Sequence, residues 1–198
     1  MKLFTYTGGL VATNAYVLQS HSGTLLIDAP KDVFPWLASK NLTPDALLLT
    51  HQHFDHVEDA HLFEGPIYAQ SPFSRDLTLD QQARDWGLPV QVPEFSVSIL
   101  LTSESTITLA GFQISILPLP GHSPDSLVYH IPAETIALAG DTLFADGIGR
   151  TDLPHGEHQT LISGIRSTLL TLPPDTRILP GHGPETNIAH EQNNPFLQ

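Results

Sequence analysis

His51-Gln52-His53-Phe54-Asp55-His56 is the stretch on which the reading of this chain turns. It packs three imidazoles and one carboxylate into six residues. It follows directly on Asp45-Ala46-Leu47-Leu48-Leu49-Thr50, a short continuous apolar run of the kind that forms a strand buried on both faces. In extended backbone, side chains two apart share a face, so His51 and His53 can grip one ion. Asp55 and His56 come after the bend and can face a second. Imidazole suits Zn, Fe, Ni and Cu, and a carboxylate adds preference for harder, hydrolytic metals. A solvated polar loop holding a hydrogen-bonded histidine pair is the plainer alternative.

Three more segments repeat the pattern of a strand followed at once by a candidate ligand. They are Leu119-Pro120-Gly121-His122, Leu138-Ala139-Gly140-Asp141 and Leu179-Pro180-Gly181-His182. Glycine permits an abrupt turn that aims the next side chain away from a sheet edge. Each segment alone is a weak signal. With the first motif they supply seven ligands at four strand ends, a count that fits two metal ions sharing one carboxylate.

Around these points the chain reads as mixed strands and helices with short connections, which implies sheets covered by helices in a single domain spanning 1–198. Thr13–Gln19 and Thr24–Asp28 read as strands joined by a turn at His21-Ser22-Gly23, and Pro66–Gln70 as another strand. Ser105–Leu109 and Phe112–Leu117 form a hairpin, Ser126–Ile131 and Thr135–Ala139 a second pair, and Arg177–Leu179 the last strand. Short helices are expected over Asp32–Lys40, Val57–Phe63 and Ser71–Gly87. The best helical pattern covers Glu157–Leu172, where Leu161, Ile162, Ile165, Leu169 and Leu172 recur at helical spacing before Pro173-Pro174. Trp36, Trp86 and Phe112 are assigned to core packing, and the charges from Asp76 to Asp85 to a solvated helix face.

Composition narrows the function classes. The 198 residues are 40% hydrophobic and 15% charged, as in an ordinary globular protein. Twenty-one acidic residues against eight basic ones give −13, a sign that repels nucleic acid and anionic membranes. There is no cysteine, so disulfides and thiolate metal sites are excluded. No apolar run approaches the roughly 18 residues of a membrane span. Met1–Leu10 lacks the build of a signal peptide, so a cytoplasmic location is expected. Of the eleven histidines, His61, His155, His158 and His190 read as surface or supporting groups, His21 as a turn residue and His130 as a packed core residue.

The ligand pattern resembles that of the metallo-β-lactamase superfamily, His-x-His-x-Asp-His followed by His, Asp and His, over nearly the whole chain from Asn14 to Phe196. The resemblance implies an α+β fold, a four-layer αββα sandwich with a metal pair at the rim where strands end. Carried over by motif, His51, His53 and His122 would hold one ion, Asp55, His56 and His182 the other, and Asp141 would bridge them. Gly140-Asp141-Thr142-Leu143-Phe144, Gly147-Ile148-Gly149-Arg150-Thr151-Asp152, Pro180-Gly181-His182-Gly183-Pro184-Glu185-Thr186 and Asn194-Pro195-Phe196 are similar, more narrowly, to the glyoxalase II-like hydrolases. These are hydroxyacylglutathione hydrolases, here of the short bacterial type. Sixteen residues follow His182, so the helical glutathione-binding domain of longer members is expected to be absent. The chain departs from the family pattern at Glu58-Asp59 and Asp125, where glycines are usual, and at Ala29-Pro30. Extra carboxylates near the mouth of the site are expected to alter substrate preference.

The reaction so implied is thioester hydrolysis of S-(hydroxyacyl)glutathione or a related acyl thiol. Two divalent ions, zinc first with iron or manganese as alternatives, would make hydroxide available near neutral pH. Asp55 would be the catalytic carboxylate that orients it. Arg150 is read either as a clamp for a substrate carboxylate or as a salt-bridge partner of Asp146 or Asp152. An iron-dependent persulfide dioxygenase, using His51, His122 and Asp141 on one iron, is the main alternative, and a lactonase a third. The expected partner is a small-molecule thioester, not nucleic acid or membrane, with the chain a monomer or small homo-oligomer.

Overall fold

A computed structural model describes residues 1–102 and 105–198. Six strands form the first sheet in sequence order: β1 (Lys2–Gly8), β2 (Thr13–Gln19), β3 (Thr24–Ile27), β4 (Ala46–Leu48), β5 (Ile67–Ala69) and β6 (Ile99–Leu100). The first three are antiparallel and the last three extend the sheet in parallel. The second half begins with β7 (Thr106–Leu109), β8 (Phe112–Pro118), β9 (Leu127–Ile131) and β10 (Ile136–Gly140). A short hairpin of β11 (Leu143–Phe144) and β12 (Gly147–Ile148) follows, then β13 (Arg177–Pro180) and β14 (Thr186–Asn187). The second sheet has the order β14-β13-β10-β9-β8-β7, parallel only between β10 and β13. Helices α1 (Val33–Ser39), α2 (Phe54–Val57), α3 (Arg75–Thr78) and α4 (Asp80–Asp85) belong to the first half; α5 (His158–Gly164) and α6 (Ile188–Glu191) belong to the second.

Period-two alternation sorts the apolar side chains into three cores. Tyr16, Leu18, Leu25, Ile27 and Leu48 face the second sheet and meet Ile114, Ile116, Tyr129, Leu138 and Leu179. The residues between them, Ala15, Val17, Leu26 and Leu47, turn outward onto Val33 and Leu37 of α1. Val128, Ala137 and Ala139 turn outward on the other side, onto Leu161, Ile165 and Leu169. Both faces of the central strands are therefore covered, which is why their sequences read as continuous apolar runs. The result is the expected mixed four-layer arrangement, helices outside and two sheets inside. No helix among the described residues is long and apolar enough to cross a membrane.

Several local expectations need correction. Ser71–Gly87 is not one helix: Leu79 adopts φ 53° and separates α3 from α4. Asp80 is not part of a solvated face. It is 1% exposed and bonds Arg84, Thr78 and the Val92 amide. The helix beginning at His158 changes to a π-helical turn over Ile165–Leu169. Arg177–Leu179 is not the last strand, since β14 pairs beside it, and Lys2–Gly8 forms an edge strand that its polar alternation hid. Trp86 is not in a core: it is 55% exposed.

Candidate metal centre and its cleft

The rim residues come from the ends of buried strands. The chain leaves β4 in extended form, and His53 precedes the single turn of α2, which carries Asp55 and His56 back toward the sheets. His122 follows β8 across a turn at Gly121, whose φ of +130° is one that side-chain-bearing residues avoid, and a Cβ there would strike the Leu161 backbone. The second Pro-Gly-His differs. Gly181 is needed for space, because its Cβ would overlap the Asp141 carboxylate.

All seven expected side chains converge. The rings of His51, His53 and His122 form a tripod with centroids 4.5–5.0 Å apart. Asp55, His56 and His182 form a second group, with Asp55 Oδ2 3.4 Å from His56 Nε2 and 3.2 Å from His182 Nε2. Asp141 lies between the groups: its Oδ1 is 3.3 Å from His56 Nε2, and its Oδ2 is 3.3 Å from His182 Nε2 and 3.5 Å from His122 Nε2. Ligand atoms of each triad lie close enough together to hold one ion.

The residues behind these rings fix which nitrogen faces inward. Nδ1 of His56 bonds Asp28 Oδ2 at 2.8 Å and that of His122 bonds the Arg150 carbonyl at 2.8 Å. Nδ1 of His51 meets Thr50 Oγ1 at 3.1 Å, and that of His182 the Val11 carbonyl at 3.2 Å. Placing each Nδ1 proton on its acceptor leaves Nε2 with a lone pair aimed inward, as a metal ligand requires. The unpaired atoms provide the test of fit. His51 Nε2, His56 Nε2, His122 Nε2 and Asp141 Oδ1 are buried without a hydrogen-bond partner. Native interiors leave few such groups, and four converging on one place match what a pair of cations would satisfy.

The electrostatics agree. Burial, reinforced by neighbouring imidazoles, holds His51 well below the usual histidine range and His53 at about 3, so both stay neutral and able to ligate. At the second group burial acts in the same direction but is overcome. Asp55, Asp141 and Asp28 raise His56, and bonds to Asp141 and Asp55 lift His182 to about 10. Asp55 is held at about 2 against its own burial by His56 and His182, and Asp141 is also held well below the carboxylate range. This end of the centre therefore favours positive charge.

Asp28 was not singled out from the sequence. It accepts from the Thr50 amide and hydroxyl, each at 2.7 Å, as well as from His56, and so supports both groups. The available signal was a carboxylate at the end of the buried run Leu25-Leu26-Ile27, the position the ligands themselves occupy. Its φ of 61° is a strained one for a non-glycine residue. Thr13 was missed too; its hydroxyl donates to Asp55 Oδ2 at 2.6 Å. Asn194, part of the closing motif, bonds the Gly147 carbonyl and Glu191, tying the β11–β12 hairpin to the chain end.

A cavity of about 570 Å³ opens onto the centre. His53, Asp55, His122, Asp141 and His182 reach it, and among the described residues its remaining walls are apolar except for Arg150. Arg150 makes the salt bridge considered for it, a two-pronged ion pair with Asp152 at 2.8 and 2.7 Å, and it also lines the cavity. Asp146 pairs instead with His190. Glu58, Asp59 and Asp125 do not line the cavity, contrary to expectation. Asp59 holds Lys31 and the Asp32 amide, while burial lifts Glu58 to about 7 and Asp125 to about 6. His61, His155, His158 and His190 lie outside the centre, and His130 is buried on β9.

Comparison with known proteins agrees with this geometry. Residues 8–182 match the family model described as the metallo-beta-lactamase superfamily. The chain is 36% identical to a probable metallo-hydrolase, YqgX, of Bacillus subtilis over 96% of its length and 94% of that protein. It is 41% identical to the hydroxyacylglutathione hydrolase GloC of Haemophilus influenzae over 79% of its length and 77% of that protein. Among solved structures it superposes on BLEG-1, described as a B3 metallo-beta-lactamase, with a TM-score of 0.87 at 35% identity, each chain covered completely. It superposes on TTHA1623 in a di-iron-bound form with a TM-score of 0.84 at 35% identity, over 98% of this chain and 100% of that one. The chain belongs to the metallo-β-lactamase superfamily and is a metal-dependent hydrolase of it.

Proposed function

We propose that the protein hydrolyses thioesters, S-(hydroxyacyl)glutathione or a related acyl thiol, with His51, His53 and His122 holding one divalent ion, Asp55, His56 and His182 the other, and Asp141 shared. When bound, such a pair supplies a hydroxide-like nucleophile near neutral pH and polarises a carbonyl. The observation that carries the choice of thioester is the ionisable inventory of the cleft. Apart from the seven ligand candidates, Arg150 is the one ionisable residue among the described residues lining it, and a guanidinium does not give up its proton. The leaving group must therefore depart without a side-chain acid. A thiol, with a pKa near 8.5, does so far more readily than an amine or an alcohol.

The chain's own residues have defined tasks. Asp55 is ionised, and its Oδ2 accepts from the Thr13 hydroxyl. Its Oδ1 is left to accept a hydrogen bond from the attacking hydroxide and orient it. As the carbon–oxygen bond forms, the carbon–sulfur bond breaks and the thiolate leaves, to be protonated by solvent. The relation to GloC supports this assignment; the relation to BLEG-1 makes a β-lactam the natural comparison substrate.

The test is a substrate panel on zinc-, manganese- and iron-loaded protein: S-lactoylglutathione, simple acyl thioesters, a lactone and a β-lactam, with oxygen uptake followed on glutathione persulfide. We expect thioester hydrolysis with kcat/KM of about 10⁴ M⁻¹s⁻¹ or more and no oxygen consumption. Absence of cleavage on every thioester would overturn the proposal.

A further inference from the structure

We infer that the cleft prefers, among the thioesters open to it, acyl thiols whose acyl group is apolar and whose thiol carries at most one carboxylate over those of glutathione, which carries two. The inference rests on the reading of the protein as a thioester hydrolase.

Two independent features carry it. The first is a fixed apolar wall. Leu79, Trp86 and Leu88 come from one short segment and all line the cavity. Leu79 holds a left-handed backbone conformation that leucine avoids. The segment is pinned by buried Asp80, which bonds Arg84 at 2.8 Å and the Val92 amide at 3.3 Å. Trp86 stays 55% exposed while lining the cavity with Leu79 and Leu88, a contiguous apolar surface of the kind that marks a ligand-binding groove. Phe144 and Ile148 of the β11–β12 hairpin add further apolar lining.

The second feature is charge. Outside the ligand set, Arg150 is the one cation among the described residues lining the cleft, and it already holds Asp152 through two hydrogen bonds. The other arginines are occupied elsewhere: Arg75 and Arg84 on Asp80, Arg166 on the Leu197 carbonyl, Arg177 on Glu185. Exchanging Asp152 for a substrate carboxylate costs little, since exposed pairs are weak, so one anionic group can be received. A second carboxylate finds no further cation outside the ligand set among the described lining residues, and the chain's net charge of −13 favours neutral carriers. Highly anionic carriers are disfavoured more strongly still.

The experiment measures binding of non-hydrolysable thioethers to the full-length, zinc-loaded protein by calorimetry, in parallel with hydrolysis of the matching thioesters. The probes are S-ethyl, S-butyl and S-hexyl derivatives of N-acetylcysteamine, a neutral thiol, and of glutathione. We expect the neutral series to bind at least tenfold tighter than the glutathione series, with each added methylene tightening binding about three- to fourfold. Trp86→Ala, at an exposed position, is expected to weaken the S-hexyl probe about tenfold and the S-ethyl probe less than twofold. Equal or tighter binding of the glutathione series, no dependence on chain length, or no binding of either series would overturn the inference. Binding in the expected order with no thioester cleaved would instead overturn the thioesterase reading and leave the cleft's selectivity standing.

Discussion

Asp28→Asn tests whether the residues behind the ligands set the centre's affinity. Oδ2 of Asp28 accepts from His56 Nδ1 and from the Thr50 hydroxyl, while Oδ1 accepts from the Thr50 amide. An asparagine amide can keep its oxygen on the Thr50 N–H, but its NH₂ group then faces His56 Nδ1. Two donors cannot share that contact, so the His56 proton moves to Nε2 and blocks the inward lone pair. Losing such a support costs about 10–100-fold in metal affinity, or about 1.4–2.7 kcal/mol. The loss should be larger at the Asp55–His56–His182 group than at His51–His53–His122, because His51 is one hydroxyl removed from Asp28. The fold should also lose about 2–3 kcal/mol, the scale of a hydrogen bond to a buried charge. Zinc titration against a competing chelator resolves the two binding steps, and calorimetry of chelator-treated protein reports the fold. Two binding steps both within about twofold of the parent would refute the tautomer argument.

Other perturbations separate the remaining parts. Gly181→Ala places a methyl group against Asp141 and 2.7 Å from the His56 ring; we expect zinc stoichiometry to fall from two toward one, measured by elemental analysis of dialysed protein. Arg150→Ala should leave the melting temperature unchanged, since its ion pair is exposed, while raising KM about tenfold for a carboxylate-bearing thioester and not for a neutral one. Metal-free protein should be most stable near pH 6.5. His53, lowered to about 3, makes the unfolded chain bind more protons below that pH, so stability falls on acidification. His182, raised to about 10, makes the folded chain bind more protons above it, so stability falls again toward about pH 10. Zinc takes the place of the proton on His182 and should flatten the alkaline decline; an alkaline limb that is the same with and without zinc, in melting curves across this range, would count against that placement.

What the sequence disclosed follows from how local each signal was. The seven candidate ligands were legible because each sits directly after a buried apolar run, and their type and spacing carry the chemistry. The central strands were legible because burial on both faces leaves an uninterrupted apolar string. Asp28 was harder: one aspartate after a strand resembles any turn residue, and its role depends on Thr50 and His56 being brought beside it. The break at Leu79 was invisible because leucine is a good helix former, and only the tertiary anchor at Asp80 makes its conformation worthwhile. Trp86 misled for a related reason, since a large aromatic is buried by default unless a cavity gives it another use. The edge strands Lys2–Gly8 and Thr186–Asn187 lack the apolar density that marked their neighbours.

The stitching between the two ends of the chain has a consequence for biosynthesis. The Asn14 amide and side chain bond the carbonyls of Gly181, Pro180 and Gly183, and Tyr16 adds a bond to Pro180, so the loop carrying His182 is seated on the second strand of the chain. A polypeptide leaving the ribosome presents His51, His53, Asp55 and His56 early, while the last ligand and its seat come together only after the chain up to His182 has emerged. Contacts this distant form late. The second ligand group can therefore close only once the loop carrying His182 has docked on β2.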